Sequence, residues 1–204
     1  MKPVILYTLH ALNAMVGCLC IAMLGLATHS ITLNDRFEPP ESLDVQGTAM
    51  GMLMWPGAGG MVDFLLFLCV LVAGERRFRS TRARQIHDHG LLFVGCFITF
   101  RPLVVLIYEF VAYNQATKYV PGGNERSTFT TETWACGAGP EAATLCHELR
   151  TARWLLVPVL VLASMLTGTV VWVWLHRKEE REKAFGHEDL TRSAEPSVEA
   201  KSTV

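Results

Sequence analysis

Leu91-Leu92-Phe93-Val94-Gly95-Cys96-Phe97-Ile98-Thr99-Phe100-Arg101-Pro102-Leu103-Val104-Val105-Leu106-Ile107-Tyr108-Glu109-Phe110-Val111-Ala112-Tyr113 is the stretch on which the fold turns. A helix needs about 20 mostly apolar residues to cross ~30 Å of hydrocarbon, and this run reaches that length. Three more runs do the same: Val4–Ala27, Thr48–Ala73 and Trp154–Leu175. Half the 204 residues are hydrophobic and 18% are charged, and the charges collect between the runs and after Leu175. The sequence therefore predicts an all-α fold, a four-helix transmembrane bundle over residues 1–177, with 178–204 as a cytoplasmic disordered tail that starts as a charged helix extension. The first run is longer than the apolar core of a signal peptide and lacks a strong cleavage site, so it reads as a retained span.

Orientation follows from Lys and Arg rather than from the net charge of −1, because cytoplasmic loops hold the excess of cations. The loop between spans 2 and 3 carries Arg76, Arg77, Arg79, Arg82 and Arg84, and the tail opens His176-Arg177-Lys178. The loop from Thr28 to Gly47 has a single Arg against Asp35, Glu38, Glu41 and Asp44. Both termini and the Arg loop are thus expected in the cytoplasm, with loops 1 and 3 on the exoplasmic side. Beside a bilayer the Arg loop is a topology determinant and a possible contact for anionic lipid headgroups; it gives no reason to expect nucleic acid as a partner.

Of six cysteines, Cys18, Cys20, Cys69 and Cys96 lie inside spans, whereas Cys136 and Cys146 share loop 3. An exoplasmic loop permits disulfides, so a Cys136–Cys146 bridge is expected around Gly137-Ala138-Gly139-Pro140. Ser127–Trp134 alternates Thr with Phe, Glu and Trp, which suits a short extended segment. From Pro140 onward the chain has good helix formers, with Ala142, Leu145, Leu149 and Ala152 on one face, and Pro140 fits a first turn. This helix is expected to run into span 4, with Arg150, Arg153 and Trp154 at the interface. No Asn-x-Ser/Thr sequon is present.

Ionisable groups inside hydrocarbon usually face the bundle and pair. Span 1 has His10 and Asn13, span 2 Asp63, and span 3 Arg101 and Glu109. Counted from the cytoplasmic ends at ~1.5 Å per residue, Asn13, Asp63 and Arg101 share one depth near the midplane. An Asp63–Arg101 ion pair is therefore expected, with Asn13 as a hydrogen-bond partner. Glu109 lies nearer the exoplasmic end, within reach of water, and His10 reads as a packing residue. Span 2 also carries Trp55-Pro56-Gly57-Ala58-Gly59-Gly60. Pro56, like Pro102 in span 3, should kink its helix. Gly47, Gly51, Gly57, Gly59 and Gly60 form a small-residue face open to two uses, packing on span 1 or 4, or dimerisation. The terminal Ser202-Thr203-Val204 has the form of a PDZ ligand.

Four spans, cytoplasmic termini and a disulfide-bearing second exoplasmic loop resemble the MARVEL-type tetraspan proteins. Trp134-Ala135-Cys136, the run Leu145-Cys146-His147-Glu148-Leu149-Arg150-Thr151-Ala152-Arg153-Trp154, and Trp55-Pro56-Gly57-Ala58 followed by Asp63 resemble uncharacterised four-span proteins of filamentous fungi. Loop 1 lacks the Trp and Cys pair of a claudin. The resemblance implies a non-enzymatic organiser or scaffold working through lateral helix and lipid contacts, as a homo-oligomer or with other membrane proteins, in the plasma membrane or endomembranes. Two alternatives follow from the residues. Asp63, Arg101 and Glu109 would suit a small transporter or channel subunit. Four spans with cysteines would suit a thiol oxidoreductase, although loop 1 has no cysteine. No phosphate loop, zinc spacing or nucleophile elbow is visible, so no cofactor and no metal are expected.

Overall fold

The computed structural model describes residues 3–37, 45–46, 48–75, 81–116 and 129–193. Four of its helices are long and apolar enough to cross a membrane. They are α1 (Pro3–Asn34), α2 (Thr48–Glu75), α3 (Thr81–Gln115) and α5 (Ala143–Ser193). Large apolar side chains also lie on the outside of the bundle, among them Val62, Leu65, Phe93, Phe100, Val161 and Met165. A water-soluble monomer rarely exposes contiguous apolar surface on this scale. Helices apolar on every side fit a lipid surround, and the chain reads as a multi-pass membrane protein.

Each long helix packs on two others, in the cyclic order α1–α2–α3–α5 with α5 closing back on α1. The core divides by height. At one end Met23, Ala27, Leu53, Val105, Leu149 and Leu156 interlock, and at the other Leu9, Val16, Phe67, Leu71, Ile98 and Leu166. Pro56 and Pro102 sit inside helices that continue through them, as does Pro158 in α5.

A cap of short elements covers the first end. Val45–Gln46 (β1) pairs in parallel with Phe129–Thr130 (β2), joining the first loop to the third. Thr131–Gly137 then forms α4. Of the segment read as extended, Ser127 and Thr128 lie outside the described residues, Phe129–Thr130 is a strand, and residues 131–134 are helical. A capping box explains why the chain turns helical there: the Thr133 amide donates to Thr130 Oγ1 at 3.2 Å and the Thr130 amide to Thr133 Oγ1 at 3.0 Å. Reciprocal capping of this kind satisfies helix-end donors and outweighs the β preference of the alternating threonines. Gly139, at φ 113°, makes the turn that a side chain would oppose. A single 3-10 turn at Pro140–Ala142 leads into α5, whose Leu145, Leu149 and Ala152 are buried along with Ala142. The Cys136 and Cys146 sulfurs stand at disulfide distance, 1.96 Å, across this turn.

The helix α5 continues to Ser193, well into the stretch read as tail. Residues 194–204, with the terminal Ser-Thr-Val, lie outside the described residues, as do Gly47, Arg76, Arg77 and Arg79. Arg82 and Arg84 fall in the first turn of α3, and Arg82 is exposed.

Candidate functional site

At mid-height of the bundle α2 brings Asp63 and α3 brings Arg101 to their shared interface. Arg101 Nη2 lies 3.4 Å from Asp63 Oδ2 and 3.5 Å from Oδ1, and Asp63 is 5% exposed. The guanidinium is held from its sides as well, over the Trp55 ring at 5.4 Å and the Phe97 ring at 5.5 Å; such cation–π contacts gain strength when desolvated. Asn13 is buried at the same level on α1, but it does not join the pair. Its Nδ2 donates to the Phe64 carbonyl at 3.2 Å instead, and its Oδ1 has no hydrogen-bond partner. Its amide therefore ties α1 to the backbone of α2 beside Asp63.

The glycines of α2 explain how this level closes. A Cβ at Gly59 would fall on the Arg101 guanidinium, so its absence makes room for the arginine. At Gly57 a Cβ would sit 3.0 Å from the Leu24 Cα, and at Gly60 it would meet the Cys20 sulfur. Gly57 and Gly60 thus let α1 approach, and this part of the small-residue face serves packing within the chain. Gly51 faces open space. Because Gly57 abuts backbone that cannot move aside, Gly57→Leu should cost about 1–3 kcal/mol, the usual range for overpacking. A thermal unfolding midpoint in detergent equal to that of the wild type would contradict this contact.

A second buried cluster lies at the α4 end, and the sequence reading did not assemble it. Arg153 Nη2 of α5 contacts Glu132 Oε1 of α4 at 2.9 Å, with both side chains at or below 10% exposure. The Arg153 guanidinium is stacked 3.7 Å over the Tyr113 ring, with Phe110 at 5.3 Å. Glu109, expected to reach water, is instead 5% exposed, and its Oε1 lacks a hydrogen-bond partner. Together with Glu132, Tyr113, Thr130 and Thr131 it lines a cavity of about 10 Å³, room for roughly one water.

Burial pushes the Glu132 carboxyl above the usual carboxylate range, against the opposing pull of Arg153 and then Arg150. A carboxyl with a higher pKa folded than unfolded carries more protons in the folded state. Its stabilisation is complete below the ordinary carboxylate range and is lost as pH rises through the raised value. The folded protein should therefore lose stability as pH climbs through that window, and Glu132→Gln should flatten this part of the profile. Melting midpoints measured against pH for both proteins check it; parallel profiles would sink the assignment.

Similar links occur at every interface of the ring. Thr99 and Thr167 meet at 2.8 Å between α3 and α5, and Thr167 donates to the Gly95 carbonyl at 2.6 Å. At the far end Arg177 of α5 pairs with Asp88 of α3, while His87 contacts the Val70 carbonyl of α2 at 2.8 Å. At the α4 end Glu148 of α5 takes His29 at 2.7 Å and Ser30 at 3.3 Å from α1. His10 is half-buried on α1. Cys18, Cys69 and Cys96 face outward and Cys20 is buried.

Among the described residues no group of three or more His, Cys, Asp or Glu is arranged to hold a metal ion. No family model, curated protein or solved structure matches the chain.

Proposed function

We propose that this chain is a non-enzymatic four-span membrane protein that organises neighbouring membrane components through lateral contacts, in the manner of the MARVEL-type proteins it resembles. One observation carries the reading: the polar side chains between the helices form pairwise links, one or more at each interface of the ring. Such links fix helix order and register in an apolar medium, and a bundle held this way presents its outer face for contacts. Gly57 and Gly60 are used within the chain, so lateral partners meet the outward side chains, such as Leu65, Phe100 and Val161.

In this reading the termini and the Arg76–Arg84 loop are cytoplasmic, following the distribution of Lys and Arg. The capped α4 end is exoplasmic, where Cys136 and Cys146 are free to oxidise. The membrane is the plasma membrane or an endomembrane. Crosslinking in native membranes through single cysteines at position 65, 100 or 161 tests the proposal. Discrete adducts above the monomer are expected from at least one position, and a monomer at all three positions overturns it.

Glu109, with an unpartnered buried oxygen beside a water-sized cavity, favours a second reading, a small transporter subunit. Under the organiser reading, replacing Asp63 and Arg101 together by neutral residues leaves solute flux and growth unchanged.

A further inference from the structure

The outward face of α5 changes character along its length at the α4 end. His147, Arg150, Thr151, Trp154, Leu155 and Pro158 line one open groove of about 400 Å³, within the 300–1,000 Å³ of small-molecule sites. Their spacing places them on a single stripe over three helical turns, ~16 Å long at 1.5 Å per residue. Leu145, Leu149, Ala152 and Leu156, on the opposite side, are buried in the core, so the stripe faces away from the bundle.

The groove is graded. Its upper turn carries the exposed Arg150 and His147, and Thr151 Oγ1 donates to the His147 carbonyl at 2.7 Å. The middle is Trp154, half-exposed and held edge-on against Phe110 at 5.6 Å. Below it come Leu155 and Pro158, and the same stripe continues over Val161 and Met165, both more than half exposed.

We infer that this groove binds one phospholipid of the surrounding bilayer with a negatively charged headgroup. The charge order supports that occupant. A guanidinium matches phosphate oxygens bidentately, an interfacial Trp sits at headgroup level, and the apolar stripe below takes an acyl chain. Arg153, one turn on, is buried against Glu132, whereas Arg150 and His147 are exposed on the groove and placed to meet the headgroup. The inference requires that α5 cross a bilayer, and it is independent of lateral association and of which side of the membrane the α4 end faces.

The test uses the full chain in phosphatidylcholine vesicles containing a minor fraction of either brominated phosphatidylglycerol or brominated phosphatidylcholine. Bromine quenches nearby indoles, and subtracting the Trp154→Phe signal isolates Trp154. Phosphatidylglycerol is expected to be preferred at Trp154 by about fivefold, the equivalent of the ~1 kcal/mol that one basic residue contributes at an anionic lipid surface. Arg150→Gln should reduce the preference to near one and Arg150→Lys should retain part of it. Arg82→Gln, an exposed arginine on α3, should leave it unchanged. Equal quenching by the two lipids in the wild type, a preference that survives Arg150→Gln, or an equal loss in Arg82→Gln overturns the inference.

Discussion

Replacing Arg153 with methionine should cost the folded protein about 3–5 kcal/mol, the loss expected when one member of a buried ion pair is removed. Methionine keeps much of the side-chain length, so the loss reports charge more than volume. Glu132 would remain at or below 10% exposure without its cation, and Glu109 would lose the nearest positive field. Removing the stranded carboxylate as well, in Arg153→Met with Glu132→Gln, should recover a large part of the loss, because what destabilises is the unpaired charge. Arg153→Lys should fall between. It keeps the charge but gives up the planar stacking on Tyr113 seen at 3.7 Å. Thermal unfolding in detergent with the three variants side by side reads the order, and an Arg153→Met protein that melts with the wild type would contradict the cluster.

The second large effect is at mid-height. Arg101→Gln leaves Asp63, 5% exposed, with no cation, and about 3–5 kcal/mol is again the expected loss. Asp63→Asn should cost less. The freed guanidinium still lies against Trp55 and Phe97, and its long stem can carry the charge toward a more polar level. Folded yield after membrane extraction should therefore rank wild type, then Asp63→Asn, then Arg101→Gln. The reverse order would mean that Arg101, not Asp63, is the group that depends on the pair.

Much of this arrangement was legible in the sequence because a membrane simplifies the reading. A span must be a helix and must be long, so run length alone located α1, α2, α3 and the membrane part of α5. Counting residues from the span ends placed Asp63 and Arg101 at one height. The short loop between their helices made them neighbours, and the structure sets them 3.4 Å apart. Asn13 had the right height but the wrong partner, since depth says nothing about which way around a helix a side chain points.

The Glu132–Arg153 contact was hidden for a different reason. It joins residues of a loop helix and a span, and the alternation over Ser127–Trp134 points to a strand rather than to the helix that carries Glu132. One signal was available. The Cys136 and Cys146 sulfurs stand at disulfide distance between α4 and the start of α5, and such a pairing puts Glu132, one turn before the first cysteine, beside the arginines one and two turns after the second. The capping threonines Thr130 and Thr133 were present too, but their alternation with Phe and Glu imitates a strand. The glycine face shows the limit of spacing arguments. Small residues on one face fit an internal or an external helix equally, and the positions of Leu24 against Gly57 and of Cys20 against Gly60 assign this part of the face to α1.

The central claim is that the charges inside the bundle hold its helices together as pairs. Exchanging them tests this most directly: Asp63→Arg, Arg101→Asp and the double exchange, each scored by folded yield in membranes. Each single exchange sets two like charges side by side and should collapse the yield, and the double should recover well above either single. Single variants that fold like the wild type would contradict the claim and point to a water-filled interior in which the two residues never meet as a buried pair.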